Sequence, residues 1–197
     1  MDYNNLLPIQ KLCDNKFKKK FRKIYLTKKR VPQIIIQKAM IRDVEEVLDL
    51  INLYASSNLM LPRGPQYLYE NIRDFVIAAD YSMPVYSLME TREQLHLIVA
   101  CGSLHVLWGD VAEIRALAIH PNYKKIGLGS KLVEFMKEEA KGLGIKLLVT
   151  FTLTESFFAQ LGFKPKDRAD LPSKVWGECS RCPKYYQCDE TAMALDL

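Results

Sequence analysis

The stretch Glu113-Ile-Arg-Ala-Leu-Ala-Ile-His-Pro-Asn-Tyr-Lys-Lys-Ile-Gly-Leu-Gly129 decides how this chain is read. Its first half completes an apolar run from Val111 to Ile119 that predicts a strand. Its second half sets Gly127 and Gly129 just before Ser130 to Lys141, where Leu132, Val133, Phe135, Met136 and Ala140 recur at helical spacing. Closely spaced glycines let backbone amides approach a phosphate, and a helix N-terminus adds unpaired N–H groups and a partial positive charge. A pyrophosphate suits such a turn, although Gly-x-Gly by itself also describes an ordinary strand-to-helix connection. A Walker loop is excluded, because no Gly-Lys-Ser/Thr follows.

The flanking sequence supplies alternating elements. Gln33 to Ala39 predicts a first strand, with Val31-Pro32 as its boundary. Val44, Val47, Leu48, Ile51 and Tyr54 predict an amphipathic helix capped by Asp43, and Gln66 to Ala79 predicts a second helix after a loop at Ser56 to Pro65. Val85 to Thr91, Leu95 to Leu107 and Val111 to Ile119 predict an antiparallel meander. Beyond the helix that ends at Gly142 and Gly144, Ile145 to Thr152 predicts a buried strand. A short helix from Glu155 to Leu161 and strands at Phe163 to Lys166 and Thr191 to Leu197 complete the chain.

At 197 residues, 49% hydrophobic and 26% charged, the chain has material for one cored domain, or one domain with a tail. The net charge of +5 is unevenly placed: residues 1–30 hold ten Lys or Arg against Asp2 and Asp14, leaving the remainder at −3. A basic N-terminal extension over residues 1–32 and a folded domain over 33–197 are therefore expected. A nucleic-acid-binding domain is not, since its basic footprint belongs on the folded surface. The apolar run Leu97 to Trp108 is shorter than the roughly 20 residues of a membrane span, and Met1 to Gln10 has no signal-peptide pattern, so no membrane partner and a cytoplasmic location are expected.

The string Ala112 to Leu132, with Phe157-Phe-Ala-Gln-Leu-Gly-Phe163, resembles the GNAT acetyltransferases. The resemblance implies an α/β (α+β) fold, a mixed sheet of about six to seven strands flanked by about four helices, with a V-shaped splay between the fourth and fifth strands. It implies acetyl-CoA as donor, no metal, and direct attack by an amine. Backbone groups of Leu117, Ala118 and Ile119 would bind the pantetheine arm. Leu117 would also polarise the thioester carbonyl, a contribution typically worth ~3 kcal/mol per donor. Lys124, Lys125, Ile126, Gly127, Leu128, Gly129 and Ser130 would cradle the pyrophosphate, with Lys124 where the family usually has Gln or Arg. Glu113 is the candidate general base; alone, a strand glutamate is as readily an exposed or ion-paired side chain. The family's tyrosine acid is replaced by Phe158, a further cofactor contact, which leaves solvent or a group such as Tyr123 to donate the proton.

A narrower resemblance is to the acetyltransferase domain of the N-acetylglutamate synthases, in their short form without a kinase-like domain. It rests on Leu59-Met-Leu-Pro-Arg-Gly-Pro65, Tyr67 to Asp74, Cys101-Gly-Ser-Leu-His105, Glu113-Ile-Arg115, Phe157-Phe158 and Trp176 to Lys184. It implies L-glutamate as acceptor, in the opening step of arginine biosynthesis, and leaves a homodimer open; a GNAT enzyme acting on another small amine or a protein terminus, and a non-catalytic acyl-CoA sensor, are the alternative readings. Two carboxylates need cationic partners, and an arginine fork matches a carboxylate. Arg63 with Leu61 on the helix-connecting loop, and Arg115, are the substrate-binding candidates, with Thr150, Phe151 and Thr152 on the opposing strand. Arg115 shares a strand face with Glu113 and either binds the second carboxylate or pairs with Glu113. Cys179, Cys182 and Cys188 form C-x2-C-x5-C, three zinc ligands short of a fourth, or free thiols in a reducing compartment.

Overall fold

The structure, a computed structural model, describes residues 31–82, 96–171, 176–180 and 182–197. The expected basic extension, except for its last two residues, and the strand expected at Val85 to Thr91 lie outside the described residues. A seven-stranded sheet runs in the order β1-β2-β3-β4-β5-β7-β6. Its strands are β1 (Ile34–Lys38), β2 (Phe75–Asp80), β3 (Leu97–Trp108), β4 (Val111–Ile119), β5 (Leu147–Thr152), β6 (Lys164–Pro165) and β7 (Thr191–Asp196). Every pairing is antiparallel except β4 with β5.

Helices cover both faces. On one, α1 (Val44–Ala55) and α2 (Pro65–Asn71) bury Val44, Val47, Leu50, Ile51 and Leu68 against Phe75, Ile77, Ala79 and Cys101. On the other, α3 (Leu128–Gly142) and α4 (Glu155–Ala159) bury Leu132, Val133, Met136 and Phe158 against Val76, Leu104, Ile114 and Leu148. A one-turn helix α5 (Trp176–Cys179) lies in the β6–β7 connection. Apolar residues thus alternate between faces along each central strand, which is what holds the sheet as the middle layer.

Four expectations need correction. The second helix stops at Asn71 and a 3-10 turn (Ile72–Asp74) leads into β2, so the strand beside β3 is Phe75–Asp80. Asp43 does not cap α1; its carboxylate accepts the Met40 N–H at 2.8 Å and faces His96 Nε2 at 3.1 Å. Phe135 is exposed, and Leu128 takes its place on the apolar side of α3. The strand expected over Phe163 to Lys166 pairs only at Lys164–Pro165, with the Phe163 side chain in the core.

Candidate active site

Two irregularities of β4 make the site. The parallel register with β5 consists of Val111–Leu147, Ala112–Leu148 and Glu113–Val149, and stops there. One rung further, Thr150 Oγ1 donates to the Ile114 carbonyl at 3.0 Å, a side chain standing in for a ladder bond. Beyond it the strands part, leaving the β5-facing edge of Leu117, Ala118 and Ile119 on the gap. The second irregularity faces β3: Cys101 opposes Ala118 and Ser103 opposes Arg115, so two steps on β3 span three on β4. This bulge bends the strand and re-aims its backbone. Ala116 carries it at φ +52, an uncommon conformation for a residue with a Cβ. The Arg115 carbonyl accepts from Ser103 Oγ at 3.3 Å and the Ala116 carbonyl from Cys101 Sγ at 3.7 Å. Burial pushes the Cys101 thiol up to about 12, which keeps it a proton-bearing donor.

At the wide end of the gap β4 runs through a 3-10 turn (Pro121–Tyr123) into α3. Lys125 (φ 64) and Gly127 (φ 79) turn left-handed in succession and aim the chain into the first turn of α3, whose leading N–H groups have no intrahelical acceptor. Lys124, Lys125, Ile126 and Gly127 are exposed, Gly129 and Ser130 half-buried, and Leu128 is anchored in the core. A Cβ on Gly129 would stand 3.1 Å from the Phe157 ring, so a side chain here would have to push that ring back. The residues present fit a pyrophosphate: an exposed turn of backbone at the start of α3, a helix dipole and two lysines.

Lys124 packs its ammonium over the Tyr54 ring at 4.9 Å, and the Tyr54 hydroxyl donates to the Ile119 carbonyl. Tyr54 therefore ties α1 to the lip of the gap. Phe158 is buried, edge-on to Phe157 at 5.0 Å and to Phe163 at 5.3 Å, so it supports the loop from within the core. Tyr123 is buried and donates to Asp80 Oδ2 at 2.8 Å, which directs its hydroxyl into the sheet.

The acceptor candidates gather on the α1–α2 face. Glu113 and Arg115 are buried and paired at 2.6 Å. Phe151 shares this face with them; Thr150 and Thr152, one residue out of phase, point to the α3 side. Leu61 and Arg63 are half-buried on the α1–α2 loop. Asn52 clamps the Arg63 backbone from α1, accepting from its N–H at 3.1 Å and donating to its carbonyl at 3.0 Å, and the guanidinium lies 4.0 Å over the Tyr67 ring. Asn52, Tyr54, Tyr67 and Phe157 thus stand beside the candidate site, although the sequence reading gave none of them a role in it.

The β6–β7 connection closes this side. Arg168 donates to the Glu190 carbonyl at 2.7 Å and to Cys188 Sγ at 3.0 Å, and stacks 5.7 Å from Phe151. Burial, then the charge of Glu113, pushes the Cys179 thiol up to about 11. Cys101, Cys179, Cys182 and Cys188 are free thiols, and among the described residues no group of three His, Cys, Asp or Glu is placed to hold a metal.

A split mixed sheet with an amide-lined helix start at the mouth of the split defines an acyltransferase that takes a coenzyme A thioester. Residues 46–163 match the acetyltransferase (GNAT) family, and the chain belongs to it. It is an acetyl-CoA-dependent N-acetyltransferase. An uncharacterized N-acetyltransferase of Chlorobaculum tepidum is 30% identical over 82% of this chain and 96% of its own length. An amino-acid acetyltransferase of Mycobacterium tuberculosis is 28% identical over 75% of this chain and 78% of its own. Among solved structures, N-acetylglutamate synthase from Neisseria gonorrhoeae, complexed with coenzyme A and N-acetyl-glutamate, superposes with a TM-score of 0.69 at 22% identity, over 87% of this chain and 36% of that one.

Proposed function

We propose that the protein acetylates the α-amine of L-glutamate, the entry reaction of arginine biosynthesis. The observation that carries this reading is Arg63: Asn52 fixes its backbone from both sides and Tyr67 supports its guanidinium, on the face of the sheet that holds Glu113 and Arg115. A guanidinium stacked on a ring keeps its charge, and its planar shape matches a carboxylate. The names of the amino-acid acetyltransferase and N-acetylglutamate synthase relatives support the same acceptor class.

In this reading, acetyl-CoA supplies the activated acetyl group. The amides of Lys125 to Ser130 and the α3 dipole hold its pyrophosphate, and the β4 edge at Leu117 to Ile119 aligns its arm in the gap. The bulge at Ala116 re-aims the backbone next to it, and the Leu117 N–H would supply the contact that polarises the thioester carbonyl. Arg63 binds an acceptor carboxylate, and the anionic Glu113 draws the ammonium toward the reacting carbon.

Thiol release measured over a panel of amines tests the reaction; glutamate-dependent release is expected. Arg63→Ala is expected to raise the glutamate KM by about tenfold or more, as loss of a charge-assisted contact does, with the acetyl-CoA KM nearly unchanged. Equal effects on both substrates would sink the assignment of Arg63.

A further inference from the structure

The chain has three histidines, and two are spoken for: His96 is buried against Asp43, and His120 is buried with Nδ1 accepting the Asn122 N–H at 3.3 Å. His105 differs. It stands on β3 directly across from Glu113, and residues in direct register point to the same side of the sheet, so it belongs to the acceptor face. Its Nδ1 lies 2.6 Å from Asp74 Oδ2, and both side chains are about one-third exposed, at 32% and 30%. Asp74 closes the 3-10 turn that links α2 to β2. A carboxylate accepting Nδ1–H fixes the tautomer in which Nε2 is the proton acceptor, and it stabilises the imidazolium once formed.

Glu113 is placed less well for that task. Its carboxylate is bound at 2.6 Å by the Arg115 guanidinium, and a carboxylate held in an ion pair is a poorer proton acceptor than a free one. Among the described residues, the charged and titratable groups brought to this side include Asp74 from the 3-10 turn, Cys101 from β3, Glu113 and Arg115 from β4, Arg63 from the α1–α2 loop, and Arg168 and Cys179 from the β6–β7 connection, where Cys179 senses the charge of Glu113.

We propose that His105, oriented by Asp74, takes up the proton that the acceptor ammonium must lose, through an intervening water on the α1–α2 face. The inference rests on the amine-acetylation reading above. The ammonium gives one proton through water to Nε2, and the freed nitrogen lone pair attacks the thioester carbon. The tetrahedral centre collapses with cleavage of the C–S bond, and the second amine proton leaves with the thiolate to give the thiol. The imidazolium then returns its proton to solvent. The sum is amide, thiol and one released proton, with no further reactant.

His105→Asn is the informative variant, because its amide N–H can still bond Asp74 while the proton acceptor is gone. Expected for wild type is a kcat/KM that levels off with rising pH before free amine becomes abundant, as an enzyme-borne general base gives. Expected for His105→Asn is a loss of about 100-fold at pH 7, an unchanged acetyl-CoA KM, and a rate climbing about tenfold per pH unit through pH 9 as free amine replaces ammonium. Glu113→Gln is expected to keep the wild-type profile at reduced rate. Should His105→Asn fail to fold, His105→Gln is read by the same profile. A wild-type profile in the histidine variant, or a loss equal at every pH, would overturn the proposal. If another amine reacts and glutamate does not, the glutamate assignment fails while the same comparison on that amine still decides His105. A protein that acetylates no amine overturns both.

Discussion

Glu113 and Arg115 stand two apart on β4, which puts them on one face by strand geometry alone, and the structure joins them at 2.6 Å with both buried. Removing one member of a buried pair strands the other's charge, which typically costs ~3–5 kcal/mol. Arg115→Met is therefore expected to lower unfolding free energy in urea by that order, and Glu113→Gln/Arg115→Met to recover most of it. A double variant as unstable as the single would show that Arg115 matters for its packing alone. The facing of this pair was legible in the sequence because it depends only on local period. Asn52 with Arg63, and His105 with Asp74, were not, because their partners lie 11 and 31 residues away and meet only once α1, α2 and the sheet are assembled. The place of Arg63 on the loop between two helices was legible, since Pro62, Gly64 and Pro65 interrupt the helical spacing there.

The start of α3 depends on an absent side chain. A Cβ at Gly129 would meet Phe157 Cζ at 3.1 Å and Cε2 at 3.2 Å, so Gly129→Ala must displace that ring. The expected cost is ~1–3 kcal/mol, with weaker coenzyme A binding by calorimetry, because the loop amides and the ring move together. Phe157→Ala in the same chain is expected to restore stability relative to Gly129→Ala; further loss would mean that the clash is not the cause. The glycine turn, α1, α3, β3, β4 and β5 could be read from the sequence because period and turn residues agreed there. β2 was misread for a physical reason: Phe75 to Asp80 is buried on both faces, so it shows no alternation, and its apolar residues fit a helix period as well. The bulge at Ala116 left no trace, because alanine carries a conformation usually marked by glycine.

At the scale of the whole molecule, folding changes what the chain does with protons. Burial pulls the His120 imidazole down from 6.5 to about 4, so the unfolded chain binds that proton more readily than the folded one. This contribution is fully present above pH 6.5 and is lost as pH falls toward 4, at up to about 1.4 kcal/mol per pH unit. Glu190 acts in the opposite sense, because burial raises its carboxyl and favours the protonated form in the folded state. The difference between wild type and His120→Gln isolates the histidine: urea-unfolding free energies are expected to converge as pH is lowered through this window. A gap independent of pH would refute the assignment.

The two halves of the sheet, β1 to β4 and β5 to β7, share three residue pairs and the Thr150 link. They behave as two plates joined by a short weld at one end, with the mouth of the split at the other. Opening the mouth needs little rupture of the ladder, because the ladder already stops at Glu113. Stiffness is therefore concentrated at the closed end, beside the buried ion pair, and compliance at the rim, where a bulky product must leave. Flexing of the sheet itself can therefore pace turnover.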